Sequence, residues 1–217
     1  YQAIITLNAV VTMNSKKNMI HKIKDDPFLI LYVIAGSISI LYYKLTHNFL
    51  IGKGFKIIGV PLIDIRRNSS IQLGKNITLR SRNKGYHINI ASRCKLFTDP
   101  GAHIKIGHNT RIYGSCIHAS KSIIIGENCL IAGNVNIIDR NGHELCMDNP
   151  EKRINTIDKS REIVIEDNVW IGANCLILPG SFISEGSVIM ANSVVNSRFN
   201  NKSLIGGVPA IALKEYL

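Results

Sequence analysis

Ile165, Ile171, Ile177, Ile183, Ile189 and Val195 follow one another at six-residue intervals without a break. Two positions before each stand Ile163, Val169, Cys175, Ser181, Ser187 and Ser193, and a third series of the same period runs Asn168, Asn174, Gly180, Gly186 and Asn192. A period of six is neither the 3.6 of a helix nor the alternation of one long strand. It is the period of a solenoid whose short strands turn a corner every six residues. Each series then has a physical task. The large aliphatics fill the interior, the small residues share it where space is tighter, and Asn or Gly takes corners that demand positive φ.

The register returns upstream as Ile125, Ile131 and Ile137 with Asn128 and Asn134, and as Ile106 and Ile112 with Asn109. Fainter rungs are Leu73 and Leu79 around Gly74-Lys75-Asn76, and Ile90 with Leu96. The expected organisation is a partly helical N-terminal region over 1–67, a mainly β solenoid over 68–200, and a short C-terminal tail or helix over 201–217. Residues 1–12 precede Met13 and are read as non-native.

With 46% hydrophobic and 19% charged residues, the 217-residue chain has an ordinary folded composition, which argues against disorder. Its 26 Lys and Arg against 15 Asp and Glu leave a net charge of +11, favouring anionic partners without choosing among them. The five cysteines are odd in number and lack CxxC spacing, so they read as reduced packing residues of a cytoplasmic protein. The opening has neither the basic start nor the cleavage site of a secretory leader.

An apolar stretch, Phe28 to Tyr43, follows Asp25-Asp26-Pro27, a helix-start pattern. It is shorter than the roughly 18–20 residues needed to span a bilayer. The expectation is a helix packed on the protein's own core or on a neighbouring subunit. A second reading is peripheral association of 16–44 with the inner face of a membrane, for which Lys16, Lys17, Lys22 and Lys24 supply charge.

Between Ile137 and Ile163 the repeat fails, and the inserted segment 138–162 is rich in charge, Asn and Gly. Polar excursions from rigid scaffolds commonly carry function. This one carries His143, whose imidazole suits a general base acting near neutral pH. His103, His108 and His118 form a separate group that could serve as metal ligands.

The stretches IIDRNGHEL, VIEDNVWIGANCLILPG and GGVPA resemble the saccharide O-acetyltransferase branch of the hexapeptide-repeat acyltransferase superfamily, well over residues 123–213. The resemblance implies a left-handed parallel β-helix of triangular section, assembled as a homotrimer with sites between subunits. Acetyl-CoA is then the donor, no metal is required, nucleic acid is not a partner, and the acceptor is a hydroxyl of a saccharide such as a capsule or O-antigen unit. His143 maps to the base, Asp139 or Glu144 to the group that orients it, and Trp170 to a position beside acceptor and thioester.

The pantetheine arm is implied to pass Gly172, Ala173 and Ala191, with Gly207, Pro209 and Ala210 near the nucleotide. Where relatives often carry Thr-Lys-Asp, this chain has Asn196-Ser197-Arg198, so Arg198, Lys202 or Lys214 is expected to meet the phosphates. Asn141 is expected at the acceptor. Arg153, in a PEKRIN segment like that of capsule and sialic-acid O-acetyltransferases, would contact an anionic acceptor or pin the loop. The acceptor-binding Asn of maltose-type enzymes has no counterpart around Ile112 to Ser115. Two other activities share the scaffold: N-acetylation of a nucleotide amino sugar, and a metal site like that of γ-class carbonic anhydrases.

Overall fold

The computed structural model describes residues 28–216. The Lys-rich segment, Asp25-Asp26-Pro27 and residues 1–12 lie outside that range. A single helix, α1 (Leu29–Thr46), leads into seven coils. The first holds β1 (Phe49–Ile51), β2 (Lys56–Ile58) and β3 (Leu62–Ile65), and the second β4 (Ser70–Leu73), β5 (Thr78–Arg80) and β6 (Lys95–Thr98). The third holds β7 (His103–Ile106), β8 (Arg111–Tyr113) and β9 (Cys116–Ala119), and the fourth β10 (Ser122–Ile125), β11 (Leu130–Ile131) and β12 (Asn136–Ile138). The fifth holds β13 (Ile163–Ile165), β14 (Trp170–Ile171) and β15 (Leu176–Ile177), and the sixth β16 (Phe182–Ile183), β17 (Val188–Ile189) and β18 (Val194–Val195). The last holds β19 (Arg198–Phe199) and β20 (Ser203–Gly207), against which β21 (Ala210–Glu215) folds back antiparallel.

Every third strand pairs in parallel, which gives three sheets: face A from β1 to β19, face B from β2 to β21 and face C from β3 to β18. The register stacks like on like. Ile123 pairs with Ile163, Ile131 with Ile171, and Ile137 with Ile177, and all six are buried in the one core that fills the prism. Asn68, Asn76, Asn109, Asn128, Asn134, Asn168, Asn174 and Asn192 all have positive φ, as the corner argument requires. At two corners they also form ladders: Asn76 donates to Asn109 and Asn109 to Asn128, each at 3.0 Å, while Asn134, Asn174 and Asn192 repeat the pattern at 3.1 Å.

Three boundaries differ from expectation. The coil begins at Phe49 rather than 68, because Ile51, Ile57 and Ile63 already keep the six-residue spacing; Phe55 and Pro61 stand where small residues mark later rungs and disguise it. At the other end the coil continues past 200 through β20, and the tail is a strand, with the register hidden by a turn shortened between Val195 and Phe199. Ile90 is not a rung. It belongs to a second excursion between β5 and β6, in which Tyr86 stacks on Tyr113 at 4.7 Å and Ala91 N–H donates to the Asn134 side chain at 2.8 Å.

Candidate active site

The long insertion leaves the prism between β12 on face C and β13 on face A. Its base is fastened where it leaves and where it returns. Asp139 is fully buried, and its carboxylate accepts the backbone N–H groups of Ser120 at 2.6 Å, Lys121 at 2.7 Å and Ser122 at 2.8 Å. Its carbonyl accepts the N–H of Arg161 at 2.8 Å, which closes the loop. Beside it, the Arg140 guanidinium donates to Asp99 at 2.6 Å, and Asp99 also accepts from the Ser120 hydroxyl and meets His118 at 3.4 Å. Burial opposes ionisation of Asp99, but the Ser120 and His118 hydrogen bonds and the Arg140 charge outweigh it and hold its carboxyl below the usual range.

Within the loop, a 3₁₀ turn, Pro150–Asn155, delivers Thr156 to His143. The Thr156 carbonyl lies 3.0 Å from His143 Nδ1. A carbonyl oxygen can only accept, so Nδ1 carries the hydrogen, and in the neutral ring the lone pair is on Nε2. Thr156 also accepts the Glu144 N–H through its hydroxyl at 3.0 Å. The orienting group is therefore a backbone carbonyl. Asp139, expected in that role, is committed to the corner at 120–122, and the exposed Glu144 enters the network through its main chain.

Arg153 donates to the Leu145 carbonyl and to the Met147 sulfur, so it ties two strands of the loop together. Asn141 donates to Asp158 at 2.7 Å across the loop mouth. That bond, with the Lys159 N–H, keeps the Asp158 carboxyl below its ordinary value. Thr156 is the participant that composition could not flag, because its contribution to the ring is a main-chain oxygen.

The residues assigned to the donor gather elsewhere. Gly172, Ala173 and Ala191 line the corner between faces B and C, in successive coils. A Cβ on Gly172 would sit 2.5 Å from the Ala191 nitrogen, so no side chain fits between the two coils; Gly172 itself is buried, and Ala191 is exposed. Trp170 lies on face B, 52% exposed, between Leu130 and Val188. Gly207 and Pro209 form the exposed turn between β20 and β21. Arg198 stacks its guanidinium 4.5 Å above the Phe182 ring on face A, and Lys214 lies over Tyr216 on face B. Among the described residues, His143 shares no hydrogen bond or ring contact with Trp170 or the small-residue corner.

The three other histidines diverge. His103 meets Ser70 on face A, His108 accepts the Lys75 N–H at the next corner, and His118 pairs with Asp99 on face C. They do not converge on a metal within one chain.

No protein-family model matches the chain. An Escherichia coli (strain K12) protein, WbbJ, named for lipopolysaccharide biosynthesis O-acetyl transfer, is 30% identical over 185 residues, which span 81% of this chain and 88% of that one. The chain belongs to the hexapeptide-repeat acetyltransferases. Galactoside O-acetyltransferase of Escherichia coli (strain K12) is 35% identical over 116 residues, 53% of this chain and 55% of the relative. A galactoside acetyltransferase solved with coenzyme A superposes with a TM-score of 0.51 at 21% identity, covering 87% of this chain and 82% of that one. The prism is thus the left-handed parallel β-helix of these enzymes.

Proposed function

We propose that this acetyltransferase moves an acetyl group from acetyl-CoA onto a hydroxyl of a saccharide, a surface polysaccharide unit or its precursor, with His143 as general base. The observation that carries the reading is the tether of His143 Nδ1 to the Thr156 carbonyl, which selects the neutral tautomer with its lone pair on Nε2, on an exposed loop of the saccharide O-acetyltransferase type. Nε2 takes the acceptor's O–H proton as that oxygen attacks the thioester carbonyl carbon. As the C–S bond breaks, His143 returns the proton to the leaving sulfur, giving free CoA and the acetyl ester. No acyl-enzyme is involved, and a backbone N–H steadies the oxyanion. Trp170 flanks the reacting groups, and Asn141 and Arg153 hold the loop that receives the acceptor.

The histidine loop and the donor corner sit at different edges of one prism, so the reading requires a homotrimer in which the loop of one subunit faces the corner of the next. A cytoplasmic location suits the supply of the donor. Replacing His143 by Ala removes the base, which is worth about 10²–10⁴ in rate. The test is CoA release with capsule and O-antigen fragments, with amino-sugar nucleotides as the competing acceptors. His143→Ala should lose at least about a hundredfold in kcat and keep its affinity for CoA. Near-normal turnover, or turnover confined to amines, defeats the proposal.

A further inference from the structure

Helix α1 lies across the open end of the solenoid, against the edge strands β1 and β2. Its inner side is Gly36, Ile40 and Tyr43. Ile40 joins the core, Tyr43 meets Phe49 edge-on, and a Cβ on Gly36 would strike the Gly59 carbonyl at 2.8 Å. The outer side carries Leu31, Ile34, Ile38, Leu41 and Leu45, spaced three and four residues apart along one line and 45–77% exposed. Tyr32 and Tyr42 flank the line, both exposed, and the Arg82 guanidinium stands 4.4 Å above the Tyr32 ring. Among the described residues no helix is long and apolar enough to cross a membrane.

Charge is distributed along the prism with the same polarity. From Phe28 to Thr98, which is α1 and the first two coils, eleven Lys and Arg stand against one acid, Asp64. From Asp99 onward eleven stand against twelve acids. Among the described residues the whole positive excess is therefore at the end that bears the apolar line. A soluble polyanion would use the charge and leave the aliphatics bare. A second copy stacked on the line would bring two basic ends together, which is electrostatically unfavourable.

We infer that this end of the protein docks on an anionic lipid surface, with α1 lying in the interface and the solenoid standing away from it. Aliphatic side chains enter the acyl boundary, tyrosines sit at headgroup depth, and the surrounding cations meet the lipid charge. Each Lys or Arg held near such a surface strengthens binding about fivefold.

The test is co-sedimentation of the full chain with vesicles of phosphatidylethanolamine containing about one third phosphatidylglycerol, against phosphatidylcholine vesicles. Binding to the anionic vesicles should be at least about tenfold stronger and should weaken in high salt. Ile38→Glu with Leu45→Glu should lower it at least about tenfold, and Lys53→Glu with Lys56→Glu similarly, while acetyl transfer to a soluble acceptor is unchanged. That retained activity reports an intact fold; where the Glu pair impairs folding, the Ser pair at the same positions replaces it. Equal binding to both vesicles, no binding, or full binding by the folded apolar-line variants overturns the inference. So does velocity sedimentation showing wild-type chains, but not the Ile38 and Leu45 variants, joining end to end without lipid.

Discussion

Asp139 offers the sharpest test of how the loop is built. Its two oxygens satisfy three consecutive backbone N–H groups at a corner that has no positive-φ Asn or Gly to turn the chain. In Asp139→Ala these part-buried donors lose their acceptor. Each loss costs about 1–2 kcal/mol, so the total is about 3–6 kcal/mol. For a chain of this length that corresponds to a fall in Tm of roughly 6–24 °C. Asp139→Asn keeps one acceptor oxygen but turns an NH₂ toward at least one of the donors, and costs about 1–3 kcal/mol. Melting followed by circular dichroism, with hydrogen exchange at Ser120–Ser122, reads the effect directly. Turnover per folded molecule should stay within about tenfold of the parent in the Asn variant, since the ring is held by Thr156. A Tm unchanged to about 2 °C together with a collapse of kcat would refute this and restore Asp139 as the partner of His143.

Further outcomes follow from other groups. Asp99 has a depressed folded-state pKa, so its contribution to stability is full above the unfolded carboxylate value of about 3.9 and is lost as pH falls through the folded value. Asp99→Asn should therefore narrow the gap in urea midpoint between pH 6 and pH 3, and an unchanged gap would disprove the linkage. Burial pushes the Cys129 thiol up to about 11, above the relief offered by the Val169 N–H and Thr110. Thiol reagents at pH 8 should therefore spare Cys129 in the native protein and reach it only on unfolding; rapid native labelling would contradict its burial. Gly172→Val should distort the corner against the Ala191 backbone and raise the KM for acetyl-CoA at least about tenfold, measured at saturating acceptor. An unchanged KM would remove that corner from the donor path.

Much of the architecture was legible because a solenoid repeats its constraints. Each rung of Ile and each corner Asn answers to the rungs above and below, so a period of six carries the interior, the corners and the parallel register together. The loop was legible for the complementary reason, as a polar break in that period. The first coil was missed because Phe55 and Pro61 replace small residues, and the excursion at Tyr86 because Ile90, six residues before the true rung at Leu96, mimics one.

The sequence by itself determined the coil, its interior and the histidine set apart from it, since those depend on side-chain size and period. Only the tertiary structure decided what holds the histidine. Asp139 and Glu144 are its neighbours in the chain, yet the ring is oriented by a carbonyl thirteen residues away, which a 3₁₀ turn brings within reach. Main-chain atoms are the same at every position, so no residue type announces which of them will accept a hydrogen bond. That choice is made when the loop closes.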